Sequence, residues 1–93
     1  MLSRIYIKDA GTLVGKEATV IGFVQALRVQ SKIIFLVLRD VSGLIQNVIE
    51  ISNPEAFEIA KNLSLESVVS ITGTVKEAKQ AIGGIEIDRK SVV

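Results

Sequence analysis

Lys32-Ile33-Ile34-Phe35-Leu36-Val37-Leu38-Arg39-Asp40 decides the fold. The run is long and apolar enough to be a strand inside a barrel. Val41-Ser42-Gly43 follows as a turn, and a second strand runs from Leu44 to Ile51. Side chains alternate across a strand, so Ile34, Leu36 and Leu38 share one face while Ile33, Phe35, Val37 and Arg39 share the other. On the second strand Ile45, Ile49 and Ile51 share a face, which leaves Leu44, Gln46, Val48 and Glu50 opposite. The two aliphatic sets form the core, so Phe35 and Gln46 point away from it onto one surface. A tight loop from Asp40 to Gly43 sets Arg39 against Leu44 and Val37 against Gln46, making Phe35 and Gln46 diagonal neighbours. An aromatic ring beside a carboxamide on an open sheet face is a stacking platform next to a hydrogen-bonding group.

Upstream of the hairpin, Arg4 to Asp9 alternates like a short edge strand, and Ala10-Gly11 breaks it. Leu13 and Val14 are expected to tuck beneath the barrel before Gly15 turns the chain. Glu17 to Gln30 then reads as one long strand with apolar residues on both faces, Ala18, Val20, Val24 and Ala26 against Ile21, Phe23 and Leu27. Such a strand has to coil. Gly22 is where it can bend, letting one strand serve two sheets.

Downstream, Ser52-Asn53-Pro54-Glu55 is a helix start, with a capping Asn or Ser and Pro in the first turn. Ala56, Phe57, Ala60 and Leu63 fall at helical spacing over about three turns, a length stable only when docked. Ser67 to Val75 is a strand with Val69, Ile71 and Val75 inward. A polar loop, Lys76 to Gly84, closes on Gly83-Gly84, and Ile85 and Ile87 alternate with Glu86 and Asp88 in a last strand. The order is three strands, one helix, two strands. SH3-like barrels and split sandwiches share parts of it. The best match is an all-β class with one helix: the OB-fold, a five-stranded Greek-key barrel with its helix between strands 3 and 4. Residues 1–93 are expected to form this as a single domain.

Composition sets limits on function. Hydrophobic content of 48% and a single Pro argue for a packed core. Cysteine and histidine are both absent, which removes disulfides and thiolate or imidazole metal ligands, and leaves no histidine to activate a Ser or Thr nucleophile. No apolar run approaches the ~20 residues of a membrane span and the N-terminus is not a signal peptide, so a cytoplasmic location is expected, with no membrane partner. Net charge is +1. Residues 1–40 carry six Lys and Arg against three acids, and residues 41–93 five against seven, a modest basic bias toward the first half.

Gly22-Phe23-Val24 with Arg28, then Phe35 to Asp40, Ser42 to Gln46, Glu66-Ser67-Val68-Val69, Gly73-Thr74-Val75 and Gly83 to Ile87 occur in an order that resembles one family. It is similar to the N-terminal anticodon-binding domain of class II aspartyl-tRNA synthetases, with the domain of archaeal-type asparaginyl-tRNA synthetases a close second. The resemblance covers essentially the whole chain. It implies that Phe35 stacks on the middle anticodon base, a uridine, and that Gln46 bonds that uridine's edge. Arg28 and Lys76 match basic positions near the anticodon loop. Glu86 matches an acid that helps read the first base, a guanine, and Gln25 is a candidate at the third. The partner implied is tRNA with an Asp or Asn anticodon loop. ATP and Mg are expected only of a catalytic domain that this chain does not resemble, so the chain alone is not expected to be an enzyme; a catalytic domain or dimer partner would lie outside it. Departures from the pattern are Phe23 where Trp is usual, Ser31 where Gly is usual, and Asn47 on the inward face.

Blander readings stand beside these. Ile33 and Val37 share the Phe35 face, so the same surface suits a protein-interaction module or engineered binding scaffold. A generic single-stranded nucleic-acid binder is a third possibility. Arg39-Asp40 reads as a hairpin-end ion pair with Asp40 capping the turn, and Glu86 could pair across strands with Lys76 or Arg89.

Overall fold

Strand β1 (Glu17–Val29) is paired along both edges and carries the architecture. In the computed structural model, which describes residues 5–78 and 84–92 and of 89–92 the backbone alone, a 3-10 helix (Ile7–Leu13) precedes it. After it come β2 (Ile33–Asp40), β3 (Gly43–Glu50), α1 (Pro54–Lys61), β4 (Val68–Glu77) and β5 (Ile85–Val92). The strands close in the order β1-β2-β3-β5-β4, an OB-fold barrel with its helix between the third and fourth strands. Residues Glu17 to Phe23 of β1 pair with β4, and Phe23 to Val29 pair with β2. One strand does serve two sheets.

The bend is made by two devices. At Gly22 a Cβ would lie 2.5 Å from the Arg39 carbonyl oxygen, so the position is reserved for a residue without one. The β1–β2 register then slips between Val24 and Ala26, a bulge that leaves Gln25 unpaired. The turn before β4 holds the bulge: Val24 N–H donates to the Ser67 carbonyl at 2.9 Å, and Glu66 N–H donates to the Val24 carbonyl at 2.8 Å. Glu66 takes a left-handed φ of 67° to do so. The slip inverts the alternation. Ala26, grouped in the sequence with the buried Val20 and Val24, is exposed, while Leu27, grouped with Ile21 and Phe23, packs against the core.

The hairpin has the expected register, with Arg39 opposite Leu44, Val37 opposite Gln46 and Phe35 opposite Val48. Ile34, Leu36, Leu38, Ile45 and Ile49 are fully buried, as are Val20, Val24, Ile71, Val75 and Ile87 from the other strands. Ile51 departs from expectation and is 48% exposed. The ladder stops at Ile33 and Glu50, and beyond it Ile51 N–H donates to the Lys32 carbonyl as the chain turns toward α1. That helix is shorter than its pattern, eight residues, and sets Ala56, Phe57 and Ala60 against the core with Leu63 beside them. Asn53 is its N-cap by position, but its side chain makes no capping bond. Asn47 is buried as read; its Nδ2 donates to the Leu36 and Ile45 carbonyls, while Oδ1 has no partner.

Residues expected as an edge strand before β1 coil instead into the 3-10 helix, which buries Ile7 and Ala10. Asp40 explains why. Its Oδ1 accepts from Ser42 N–H (2.7 Å), Ser42 Oγ–H (2.6 Å) and Gly43 N–H (3.1 Å), capping the hairpin turn as expected. Its Oδ2 accepts from Ile7 N–H at 2.8 Å, and Ser42 Oγ accepts from Lys8 N–H at 3.0 Å. The turn thus satisfies the opening N–H groups of the coil, which have no partner within it. Asp40 forms no ion pair with Arg39. That guanidinium reaches Glu66 at 2.9 Å and Gln25 Oε1 at 2.9 Å, and lies over the Phe23 ring.

Partial burial pushes the Asp40 carboxyl up, but the bonds from Ser42, Ile7 and Gly43 outweigh it and hold the carboxyl below its ordinary value. A carboxyl harder to protonate when folded adds stability above its unfolded pKa and loses it as pH falls through the folded one. Wild type should therefore lose stability below about pH 4 more steeply than Asp40→Asn, which should be about 1–2 kcal/mol less stable at neutral pH. Urea melts across pH 2.5–7 (roughly the carboxylate range) check both. Gly22→Ala should cost about 1–3 kcal/mol, read as a fall of several degrees in Tm.

Candidate nucleic-acid interface

The outward face of β1, β2, β3 and β5 gathers most of the residues singled out in the sequence. Arg28 stands opposite Phe35 across β1 and β2, beyond the bulge that turned it outward. The Arg28 guanidinium lies over the Phe35 ring, 4.9 Å from its centroid. Phe35 and Gln46 are diagonal neighbours on β2 and β3. Strand β5 then runs parallel to β3 with Glu86 level with Gln46. Gln46 Nε2 donates to Glu86 Oε2 at 2.9 Å.

These four side chains border a hollow of about 470 Å³. Ile33 and Val48 form its apolar floor with the ring, and Glu50 and Ala78 stand at its rim. A second hollow, about 270 Å³, shares Arg28, Phe35 and Gln46 and continues over Ala26, Leu27 and Val37. Ring and amide therefore sit between two adjoining spaces. Among the described residues Arg28 is the one cation bordering the larger hollow, with Glu50 and Glu86 also on its border. On the side of its two described carboxylates the hollow suits the N–H groups of a base edge, and on the Arg28 side a phosphate.

Two expected site residues sit elsewhere. Lys76, level with Glu86 across β4 and β5, bonds Asp88 at 2.8 Å, and that bond, with Coulombic attraction from Asp88, Glu50 and Glu86, raises its pKa. It borders neither hollow. Gln25 sits on the bulge with its Oε1 taken by Arg39. Of the two cross-strand partners that the bland reading allowed Glu86, Lys76 goes to Asp88 instead; the side chain of the other, Arg89, lies outside the described residues, as does Gly83 of the loop. Sequence reasoning placed Glu50 on the outward face but did not name it as a site residue, although it is the next outward residue after Gln46 and Val48. It also missed Ala78, which nothing local marks. Among the described residues no group of His, Cys, Asp or Glu is placed to hold a metal, and no helix is long and apolar enough to cross a membrane.

Comparisons with known proteins agree on this surface's context. Residues 18–92 match the family model described as an OB-fold nucleic acid binding domain. The chain is 36% identical over 88 residues to an asparagine–tRNA ligase of Pelotomaculum thermopropionicum, covering 92% of this chain and 20% of the ligase. It is 32% identical over 92 residues to an aspartate–tRNA(Asp/Asn) ligase of Archaeoglobus fulgidus, covering 96% of this chain and 21% of that one. The chain therefore spans about a fifth of the length of these relatives. Among solved structures, asparaginyl-tRNA synthetase from Pyrococcus horikoshii superposes with a TM-score of 0.91 at 33% identity, over 100% of this chain and 22% of that one. OBody AM1L10 bound to hen egg-white lysozyme superposes with a TM-score of 0.76 at 26% identity, over 88% and 81%.

Adjacent positions on β2 separate site from core. Leu36→Ala should cost about 2–5 kcal/mol in unfolding free energy, whereas Phe35→Ala, one residue away on the open face, should cost about 1 kcal/mol. Paired denaturant melts measure the difference, and equal losses would place Phe35 in the interior.

Proposed function

The chain belongs to the OB-fold nucleic acid binding domain family, in the form found in asparagine and aspartate tRNA ligases, and from that premise we propose that it recognises the anticodon loop of a tRNA. It corresponds to the OB-fold part of such a ligase and not to the catalytic part, so it supplies recognition and no chemistry. ATP and Mg belong to the catalytic part. On this reading residues 1–93 act as one anticodon-binding unit in the cytoplasm, next to a catalytic domain or dimer partner.

One observation carries the reading: Phe35, Gln46 and Glu86 border a single hollow, with the guanidinium of Arg28 over the ring. The middle anticodon uridine stacks on Phe35 and bonds Gln46, and the first base, a guanine, gives its N–H groups to Glu86. Arg28 meets the loop's backbone. Lys76 and Gln25, off the hollow, serve the loop's periphery: Lys76 as a charge near the phosphates, Gln25 beside the third base.

A second reading rests on a different observation. The likeness to an OBody bound to lysozyme, together with Ile33 and Val37 flanking Phe35, supports a protein-binding face. Salt separates the two. Binding to RNA weakens steeply as salt rises, because neutralised phosphates release counterions, while an apolar protein contact does not.

Titration of the chain with tRNA(Asp), tRNA(Asn) and a tRNA with a different middle base should give tight binding to one or both of the first two. Phe35→Ala should weaken it by about 1–3 kcal/mol. Arg28→Ala should flatten the dependence of log K on log salt by roughly one. Equal affinity for all three RNAs would leave only generic single-strand binding.

A further inference from the structure

The bond between Gln46 and Glu86 fixes more than a distance. An ionised carboxylate offers acceptors only, so the part of the Gln46 amide facing Glu86 has to be its NH2 group. Oε1 is thereby turned the other way, and it has no hydrogen-bond partner among the described residues. Gln46 borders both hollows beside the Phe35 ring, so a base resting on that ring meets this amide. Left unrestrained, a carboxamide presents a donor or an acceptor with equal ease, and it discriminates poorly between bases whose edges differ in that respect.

We propose that Glu86 is a positioning residue for Gln46, locking the amide so that its carbonyl oxygen meets the ligand and the site selects a base with a ring N–H. This deepens the reading of Gln46 as a contact to the middle base and rests on it. Uracil satisfies the lock, because its N3–H donates to Oε1. Cytosine does not, because its ring N3 is an acceptor and faces another acceptor. Only Oε2 of Glu86 is used in holding Gln46, which leaves the second carboxylate oxygen for a donor on a neighbouring base. Reading of the two positions is then coupled through one side chain: Glu86 acts on its own base directly and on its neighbour's base through the amide. The parallel register of β3 and β5, with Gln46 level with Glu86, makes the coupling possible.

The test removes the base that Glu86 would read directly. Anticodon stem-loop RNAs carry an abasic first anticodon position and uridine, 3-methyluridine or cytidine in the middle, and are titrated against the full chain, Glu86→Gln and Glu86→Ala. Wild type should prefer uridine over both alternatives, since methylation removes the N3–H. In Glu86→Gln, where residue 86 can donate as well as accept, the ratio of uridine to cytidine affinity should fall about tenfold. Glu86→Ala should lower the ratio similarly, with the fold verified by an unchanged thermal melt. If both variants keep the wild-type ratio on the abasic RNAs, Glu86 serves only its own base and the inference is overturned. Loss of affinity in the variants with an intact ratio overturns it equally. A wild type indifferent to the middle base defeats the parent reading, and this inference with it.

Discussion

Pairing of β1 on both of its edges is the constraint on which everything else rests. A strand that gives its first half to β4 and its second half to β2 has to rotate between them, and backbone crowding sets where. Gly22 permits the close approach to Arg39, and the slip at Gln25 completes the turn. The short turn before β4 then repairs the hydrogen bonding that the slip would otherwise leave open, at the cost of a left-handed Glu66. Without that rotation Arg28 would face the interior, and the cation beside the Phe35 ring would be lost.

The site itself is an assembly of positions distant in sequence. Forty residues separate Gln46 from Glu86, and only barrel closure, with β5 inserted in parallel beside β3, makes them neighbours. The β2–β3 turn is fastened differently, by one carboxylate that binds the hairpin turn and the incoming coil together. Both arrangements place polar groups on rigid strands instead of free loops. Such placement favours discrimination between similar ligands, because a misfit cannot be relieved by moving the backbone.

Much of this was legible in the residues. The hairpin's alternation placed Phe35 and Gln46 on one open face, and a resemblance in motif order supplied Arg28 and Glu86 as their companions. What escaped was whatever depends on a change of phase. A bulge carries no composition of its own, so Ala26 and Leu27 were grouped with the wrong neighbours. The coil from Ile7 was read as a strand because its alternation is genuine over a few residues; acceptors on the distant Asp40 and Ser42 decided its path. Ile51 continued a pattern after the ladder that gave the pattern meaning had ended. Lys76 and Gln25 were chosen by position along the chain, which says nothing of the partners, Asp88 and Arg39, that their side chains take from other strands.

The guanidinium resting on the Phe35 ring has a consequence for how strongly any flat ligand can be held. One face of the ring is already covered, so a flat ligand that took that face would gain only the difference between its own contact and the resident one, while the other face keeps its full attraction. Stacking is thereby confined to one side of the ring, and the edge of whatever stacks there is turned toward the amide and the carboxylate. A surface built this way admits a planar group from a single direction, which fixes the orientation of its edge as well as its plane.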